Sequence, residues 1–428
     1  MTARNPIYRR LARGFGANLL GRVWMILTQL LTVPVLTHFW GVDGYGVWIM
    51  ISAVPTYLAL SDFGLGVAAG VEVTRAVARD DRTEALRVYQ SAWAILTALT
   101  AGAGILIAGA ALLWFLLGGT AAEPFSSRDV TLTIVLTTLA AAINIQIRYQ
   151  RTIFDATHKY ALGTLLFDLN FLAGGLALLI VAWAGGEIVA AATAQVVLRV
   201  LLYLLYTTVL RRLEPWWHPG WRLGDRATIR RLLHPSMASF VLAAANSFGL
   251  QGIVLTLGWV FGPATAAIFA TSRMLTRIPL QFSMMLTRAS LPELTRAQST
   301  GDTALTRRLM RLNSGLVMVV MGPAALLFAL AGPWLLDKLS HGKMAASHLE
   351  FLLYGMSAAF CAVWTALGTR LIAINRQGAF AYLALGLYAA VALVPFIPGM
   401  TYTAILIGTV LAEVGIALRV VMWKGGKS

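Results

Sequence analysis

The chain of 428 residues is 58% apolar and only 12% charged, against the roughly 25% charged expected of a soluble domain. Its single cysteine, Cys361, excludes a disulfide framework and a thiolate metal site. A net charge of +16 could fit nucleic acid, but the charges lie in short loops between long apolar runs, so a membrane accounts for them and nucleic acid is not an expected partner.

Four arginines (Arg4, Arg9, Arg10 and Arg13) precede a long first apolar run with no small-residue cleavage site, which predicts a retained span rather than a cleaved signal. From there the sequence predicts twelve spans of about 20 residues or more, the length that a hydrocarbon core of about 30 Å requires. They cover approximately 15–38, 45–70, 88–117, 130–150, 161–184, 188–210, 236–259, 264–289, 312–336, 349–372, 379–397 and 401–423. Period-2 alternation is absent, so the expected class is all-α and integral to a membrane, not a barrel.

The stretch 60–82, LSDFGLGVAAGVEVTRAVARDDR, has an echo 221 residues later. Val71-Glu72-Val73-Thr74-Arg75-Ala76 falls on Pro292-Glu293-Leu294-Thr295-Arg296-Ala297, and Asp81 falls on Asp302. Backwards at the same offset, Gly41 meets Gly262 and Trp48 meets Phe269. This predicts two six-helix halves, 1–215 and 216–428, descended from one unit. An even number of spans per half makes the repeats parallel.

The N-terminal arm, the loops after the even-numbered spans and the C-terminus together hold 27 of the 34 Lys and Arg. The opposite loops hold three, Arg128, Lys338 and Lys343. The positive-inside rule then places both termini in the cytoplasm. The connection 211–235, RRLEPWWHPGWRLGDRATIRRLLHP, reads as a membrane-surface linker. Trp216, Trp217 and Trp221 would be interface anchors, and Asp225 would cap a short helix bearing Arg226, Arg230 and Arg231. Trp114 and Trp334 sit at corresponding places in the two halves and read as aromatic-belt anchors at the outer interface.

No GxxxxGK[ST], HExxH, CxxC or GxSxG motif is present and no sizeable loop could carry an active site, so the expectation is a transporter and not an enzyme. No cofactor is expected beyond a coupling ion, H+ or Na+. The four basic residues outside the loops are Arg22, Arg199, Arg273 and Arg277, the last two one turn apart on one helix face. Asp62, Asp168 and Glu413 are their acidic counterparts within spans, as charge-balancing or coupling groups. A charge at mid-bilayer costs several kcal/mol unless it faces a wet cavity or a partner. A slightly cationic cavity fits an anionic cargo. Asn18, Gln29, Asn144, Asn246 and Gln251 add amides suited to sugar hydroxyls. A packing reading stands beside this one: Arg22 and Arg199 pair with Asp62 or Asp168, and each amide joins two helices.

The opening ANLLGRVWMILTQLLTVPVLTHFWGVDGYGVW, followed by SDFGLG and a basic loop, resembles the polysaccharide-biosynthesis family of lipid-linked oligosaccharide flippases, the Wzx type. FGPATAAIFATSRMLTRIP and LPELTRAQSTGD resemble that family's eighth span and its exit. The family belongs to the MOP superfamily with the MATE drug exporters and the lipid II flippases. The resemblance implies two six-helix bundles around a central cavity that opens alternately to each side of the cytoplasmic (inner) membrane. Its implied cargo is an oligosaccharide on undecaprenyl diphosphate, moved from the inner to the outer leaflet. Arg22, Arg199, Arg273 and Arg277 would bind the diphosphate. Membrane lipids, a polysaccharide polymerase and glycosyltransferases are the implied partners. A proton- or sodium-coupled small-molecule exporter is the alternative, resting on Asp62, Asp168 or Glu413, and a scaffold that recruits glycosyltransferases through the basic loops is a third.

Overall fold

The structure is a computed structural model that describes residues 6–62, 64–121, 123–233, 237–289, 294, 302–373, 376 and 378–422. Those residues are helical with short connections and no strand. In chain order the helices are α1 (Pro6–Phe39), α2 (Gly41–Ala53), α3 (Leu65–Ala78), α4 (Arg82–Leu116), α5 (Ser127–Ala156), α6 (Tyr160–Trp183), α7 (Ile188–Leu213) and α8 (Arg226–Leu233). They continue with α9 (Met237–Ser247), α10 (Ile253–Phe261), α11 (Pro263–Ala289), α12 (Thr303–Leu339), α13 (His348–Ala373), α14 (Gly378–Leu393) and α15 (Tyr402–Met422).

Among the described residues eight helical segments are long and apolar enough to cross a membrane, where the sequence predicts twelve spans. The other four expected spans form helices too, each with its own local features. The second is broken. Pro55 has no amide hydrogen to donate and stands in a 3-10 turn, Val54–Asp62, and Gly64 takes a left-handed φ of 75° before α3 resumes. The first lies within the long helix α1, whose described apolar stretch is Val23–Phe39. The eighth, α11, carries Arg273 and Arg277. In the eleventh, α14 passes at Leu393 into a 3-10 turn containing Pro395. The seventh does qualify, but is interrupted by a π-helical turn, Phe248–Gly252, between α9 and α10.

The long spans present apolar faces outward. On α4, Ile105 and Leu106 are exposed, and on α12, Met318 and Val319. Trp334 on α12 is exposed as well, as a belt residue would be. In water such faces would be liabilities, and in lipid they are the solvent-matched surface.

The chain divides into two compact units, residues 1–44 with 51–237, and residues 45–50 with 238–428. In the first, α1 packs on α6, α5 on α7, and α3 on α4 and α5. Its core centres on Leu58, Tyr89, Phe154 and Trp217. In the second, α13 packs against α11, α12 and α15, around Phe269, Phe351, Phe380 and Ile405.

The 221-residue repeat is visible as local structure. Asp81 caps α4 by accepting from the Glu84 amide at 2.8 Å, and Asp302 caps α12 by accepting from Leu305 at 2.8 Å. Gly41 and Gly262 both take positive φ, 73° and 92°, just ahead of a helix start or at it. Trp48 and Phe269 are both buried. Of the echoed stretch 292–297, only Leu294 lies within the described residues.

The connection 211–235 is fastened to α4. Gln90, fully buried, donates from Nε2 to the His218 carbonyl at 3.3 Å, and its Oε1 accepts from the Leu223 amide at 3.0 Å. The Asp225 amide donates to the Ser91 hydroxyl at 3.0 Å. Trp217 is buried edge-on to Tyr89, and Trp216 lies under the Arg82 guanidinium and donates to Glu214. Of the three tryptophans only Trp221 is exposed. Asp225 does cap α8, and the bonds from the Thr228 amide and hydroxyl hold its carboxyl below the usual range.

Replacing Gln90 by alanine should cost about 1–3 kcal/mol, because it strands buried amide and carbonyl groups. The Leu223 amide should then exchange with deuterium roughly tenfold faster or more. Unchanged exchange across 218–225 would contradict this anchoring.

Candidate functional site

The membrane charges of the second unit gather where α11 meets the π turn, α13, α14 and α15. A π turn widens the helix and displaces its carbonyls from regular partners. Arg273 on α11 answers them, donating from Nη1 to the Gly249 carbonyl at 2.9 Å and from Nη2 to the Leu250 carbonyl. Its guanidinium lies over the Phe269 ring, one turn earlier, at 4.7 Å. Gly249 has to be glycine here, since a Cβ would come within 2.9 Å of the Tyr388 ring.

One turn beyond, Arg277 donates from Nη2 to Glu413 Oε1 on α15 at 3.3 Å, with Glu413 1% exposed. Trp364 on α13 donates its indole N–H to the other oxygen, Oε2, at 2.5 Å. The Tyr388 hydroxyl and the Cys361 thiol face the same carboxylate. A buried carboxylate with its cation and further donors is satisfied, and removing one partner leaves a charge stranded.

The first unit holds the remaining candidates. Arg199 on α7 is half-buried, and its Nη2 would stand 3.9 Å from a Cβ at Gly174 on α6. Its Nε is buried with no hydrogen-bond partner among the described residues. Asp168 on α6 presses on α1, where its Oδ2 would lie 2.0 Å from a Cβ at Gly21. Gly21 precedes Arg22, whose side chain lies outside the described residues, as do the side chains of Asn18 and Asp62.

The amides do local work. Asn170 donates to Asn144 Oδ1 at 2.8 Å, tying α6 to α5, so Asn144 joins helices in this structure. Asn246 donates to the Leu242 carbonyl of its own helix at 3.0 Å. Gln251 is half-buried in the π turn, and Gln29 is half-buried on α1.

Arg273, Arg277 and Glu413 thus come together in one unit, while Arg199 and Asp168 belong to the other. A further set escaped the reading of the sequence. Arg75, Arg148 and Arg151 count there as loop charges, yet they sit on α3 and α5 and line a cavity of 630 Å³ within the first unit. The available signal was their helical phase: Arg148 and Arg151 are three apart and share a face.

Residues 11–298 match the family described as polysaccharide biosynthesis protein. The chain belongs to that family. No curated protein matches it. Solved structures with a similar fold include a multidrug-resistance MATE transporter of the MOP superfamily in an inward-facing conformation. It is 13% identical with a TM-score of 0.74, and the alignment covers 94% of each chain. A mutant form of the Vibrio cholerae MATE transporter VcmN is 16% identical with a TM-score of 0.65, covering 96% of this chain and 95% of its own. A MOP-superfamily transporter from Pyrococcus furiosus, described as having a binding pocket of reverse polarity, is 13% identical with a TM-score of 0.60, covering 94% and 95%. This member of the family therefore has a MATE-like fold and is a multi-pass membrane protein.

Glu413→Ala should lower stability by about 3–5 kcal/mol by leaving Arg277 buried and unpaired. The double change Arg277→Met with Glu413→Leu should recover most of that loss in thermal unfolding of the detergent-solubilised protein. Equal losses in the single and double variants would show that the two side chains are not coupled.

Proposed function

We propose that the chain is a flippase of the cytoplasmic membrane that carries an oligosaccharide linked to undecaprenyl diphosphate from the inner to the outer leaflet by alternating access. The observation that carries this reading is the match to the polysaccharide biosynthesis family over residues 11–298, on a fold that structural relatives use for transport. A diphosphate cannot cross about 30 Å of hydrocarbon unaided. Guanidinium groups replace its hydration with paired, charge-assisted hydrogen bonds. Amides serve the sugar hydroxyls, and the polyprenyl tail stays in lipid.

Within this reading Arg199 is the membrane arginine to bind phosphate, because one of its donors is buried and unspent. Arg273 and Arg277 have protein partners and hold α11 to the π turn and α15. Both termini are cytoplasmic in this reading, and glycosyltransferases and a polymerase are the partners that would supply and consume the cargo.

A second reading, a proton- or sodium-coupled exporter of small molecules, draws on Glu413, a carboxylate buried within a MATE-like fold. Its engagement by Arg277 and Trp364 weighs against direct use on a cationic drug.

Deleting the gene in its host should abolish surface polysaccharide and leave lipid-linked oligosaccharide at the inner leaflet, with drug tolerance unchanged. Wild-type complementation should restore the polymer, and Arg199→Ala, present at normal level in the membrane, should restore little of it. Intact polysaccharide together with new drug sensitivity would decide for the exporter.

A further inference from the structure

We infer that the cavity between α3, α4 and α5 is a docking site for a diphosphate-bearing amphiphile, a first station for the cargo on the side where the basic loops lie. This inference rests on the flippase reading. The cavity, 630 Å³, falls in the range of about 300–1,000 Å³ typical of sites for small ligands. Its far wall is apolar, with Leu96 and Ile145, and its rim is cationic, with Arg75, Arg148 and Arg151. From Arg75 back to Gly66 on α3 is nine residues, roughly 14 Å of helix, so the cavity reaches well below its charged rim. Gly66 and Gly70, one turn apart, line its α3 side, and Gly70 lets α3 approach α5, since a Cβ there would come within 3.3 Å of Thr152.

The three guanidinium groups are held differently. Arg151 is pinned: it donates from Nη2 to the Thr164 hydroxyl at 3.0 Å, stands 3.7 Å from Asp155, and lies over the Tyr160 and Phe167 rings. A side chain fixed in this way binds an anion with little further loss of entropy. Arg75 is exposed and reaches Glu72 at 2.7 Å, a surface pair worth little that an arriving anion can displace. Arg148 is exposed on the face of α5 that lines the cavity. Among the described lining residues Asp155 is the carboxylate set against three arginines, and Glu72 beside Arg75 still leaves a cationic excess. Cations converging from two helices suit an anion with several oxygens spread over two phosphoryl groups, since each guanidinium offers its own fork of donors. The apolar depth takes what such a head carries with it.

The arginines stand toward the ends of α3 and α5 that lead into the connections Arg79-Asp80-Asp81 and Thr157-His158-Lys159, on the side that holds most of the chain's Lys and Arg. By the positive-inside rule that end faces the cytoplasm, the leaflet from which the proposed cargo is collected.

The test is equilibrium binding of farnesyl diphosphate to the full chain in nanodiscs of neutral phosphatidylcholine. Arg75→Gln and Arg148→Gln should each weaken binding roughly tenfold, the worth of one charge-assisted hydrogen bond. Thr74→Trp, which fills the mouth and keeps every charge, should weaken it similarly, while Arg308→Gln, on α12, should not. Competition by inorganic pyrophosphate would show that the head itself is read. Binding of farnesyl diphosphate without such competition would show that head and chain are read together, and either result supports the site. Equal displacement by phosphatidylglycerol, or unchanged binding in the Arg75, Arg148 and Thr74 variants, overturns it. If the wild-type protein translocates lipid-linked oligosaccharide while these variants bind normally, only this site is refuted. If the wild-type protein translocates none, the flippase reading fails first.

Discussion

Charge inside a bilayer has to be neutralised or wetted, and the second unit answers this with the Arg277–Glu413 pair. Around it α11, α13, α14 and α15 are joined by the contacts of Arg277, Trp364, Tyr388 and Cys361 with the one Glu413 carboxylate. Arg273, one turn away, meets the same demand through backbone, giving its donors to carbonyls that a π turn sets free. Two like charges on one helix face are thus each given a protein partner, one a carboxylate and the other carbonyl dipoles. Polar groups that join helices this way fix register as well as stability, because no slipped packing satisfies all of them at once.

The architecture was legible in the sequence to a considerable depth. Apolar run length marked the helices, and the 221-residue offset anticipated equivalent caps at Asp81 and Asp302 and equivalent left-handed glycines at 41 and 262. Hydropathy did not reveal that Pro55 and Gly64 break the second span, or that residues 248–252 open into a π turn, since apolar content says nothing about hydrogen-bond register. Nor did it reveal that Trp217 turns inward onto Tyr89, because an aromatic beside a basic loop satisfies the interface rule and the core rule equally.

Side-chain chemistry was harder to read than helix position. Arg273 and Arg277 stood out because they lie within a span, yet their partners are a backbone segment 23 or 24 residues away and a carboxylate 136 residues away, separations no local pattern encodes. Arg75, Arg148 and Arg151 were absorbed into a charge tally that serves topology and ignores helical phase. Arg273 and Arg277 are engaged in holding helices together, whereas Arg75 and Arg148 near the helix ends are exposed, where water helps carry the cost of their charge.

The central claim is that this chain moves a lipid-linked, anionic sugar and not a cation. Purified protein in liposomes loaded with a fluorescent oligosaccharide on a polyprenyl diphosphate tests it most directly, read by how much of the sugar becomes accessible to an impermeant glycosidase. The account predicts that the inner-leaflet pool becomes accessible with the protein and stays shielded without it, and that a cationic dye is not moved. Dye transport with the sugar pool still shielded would contradict it.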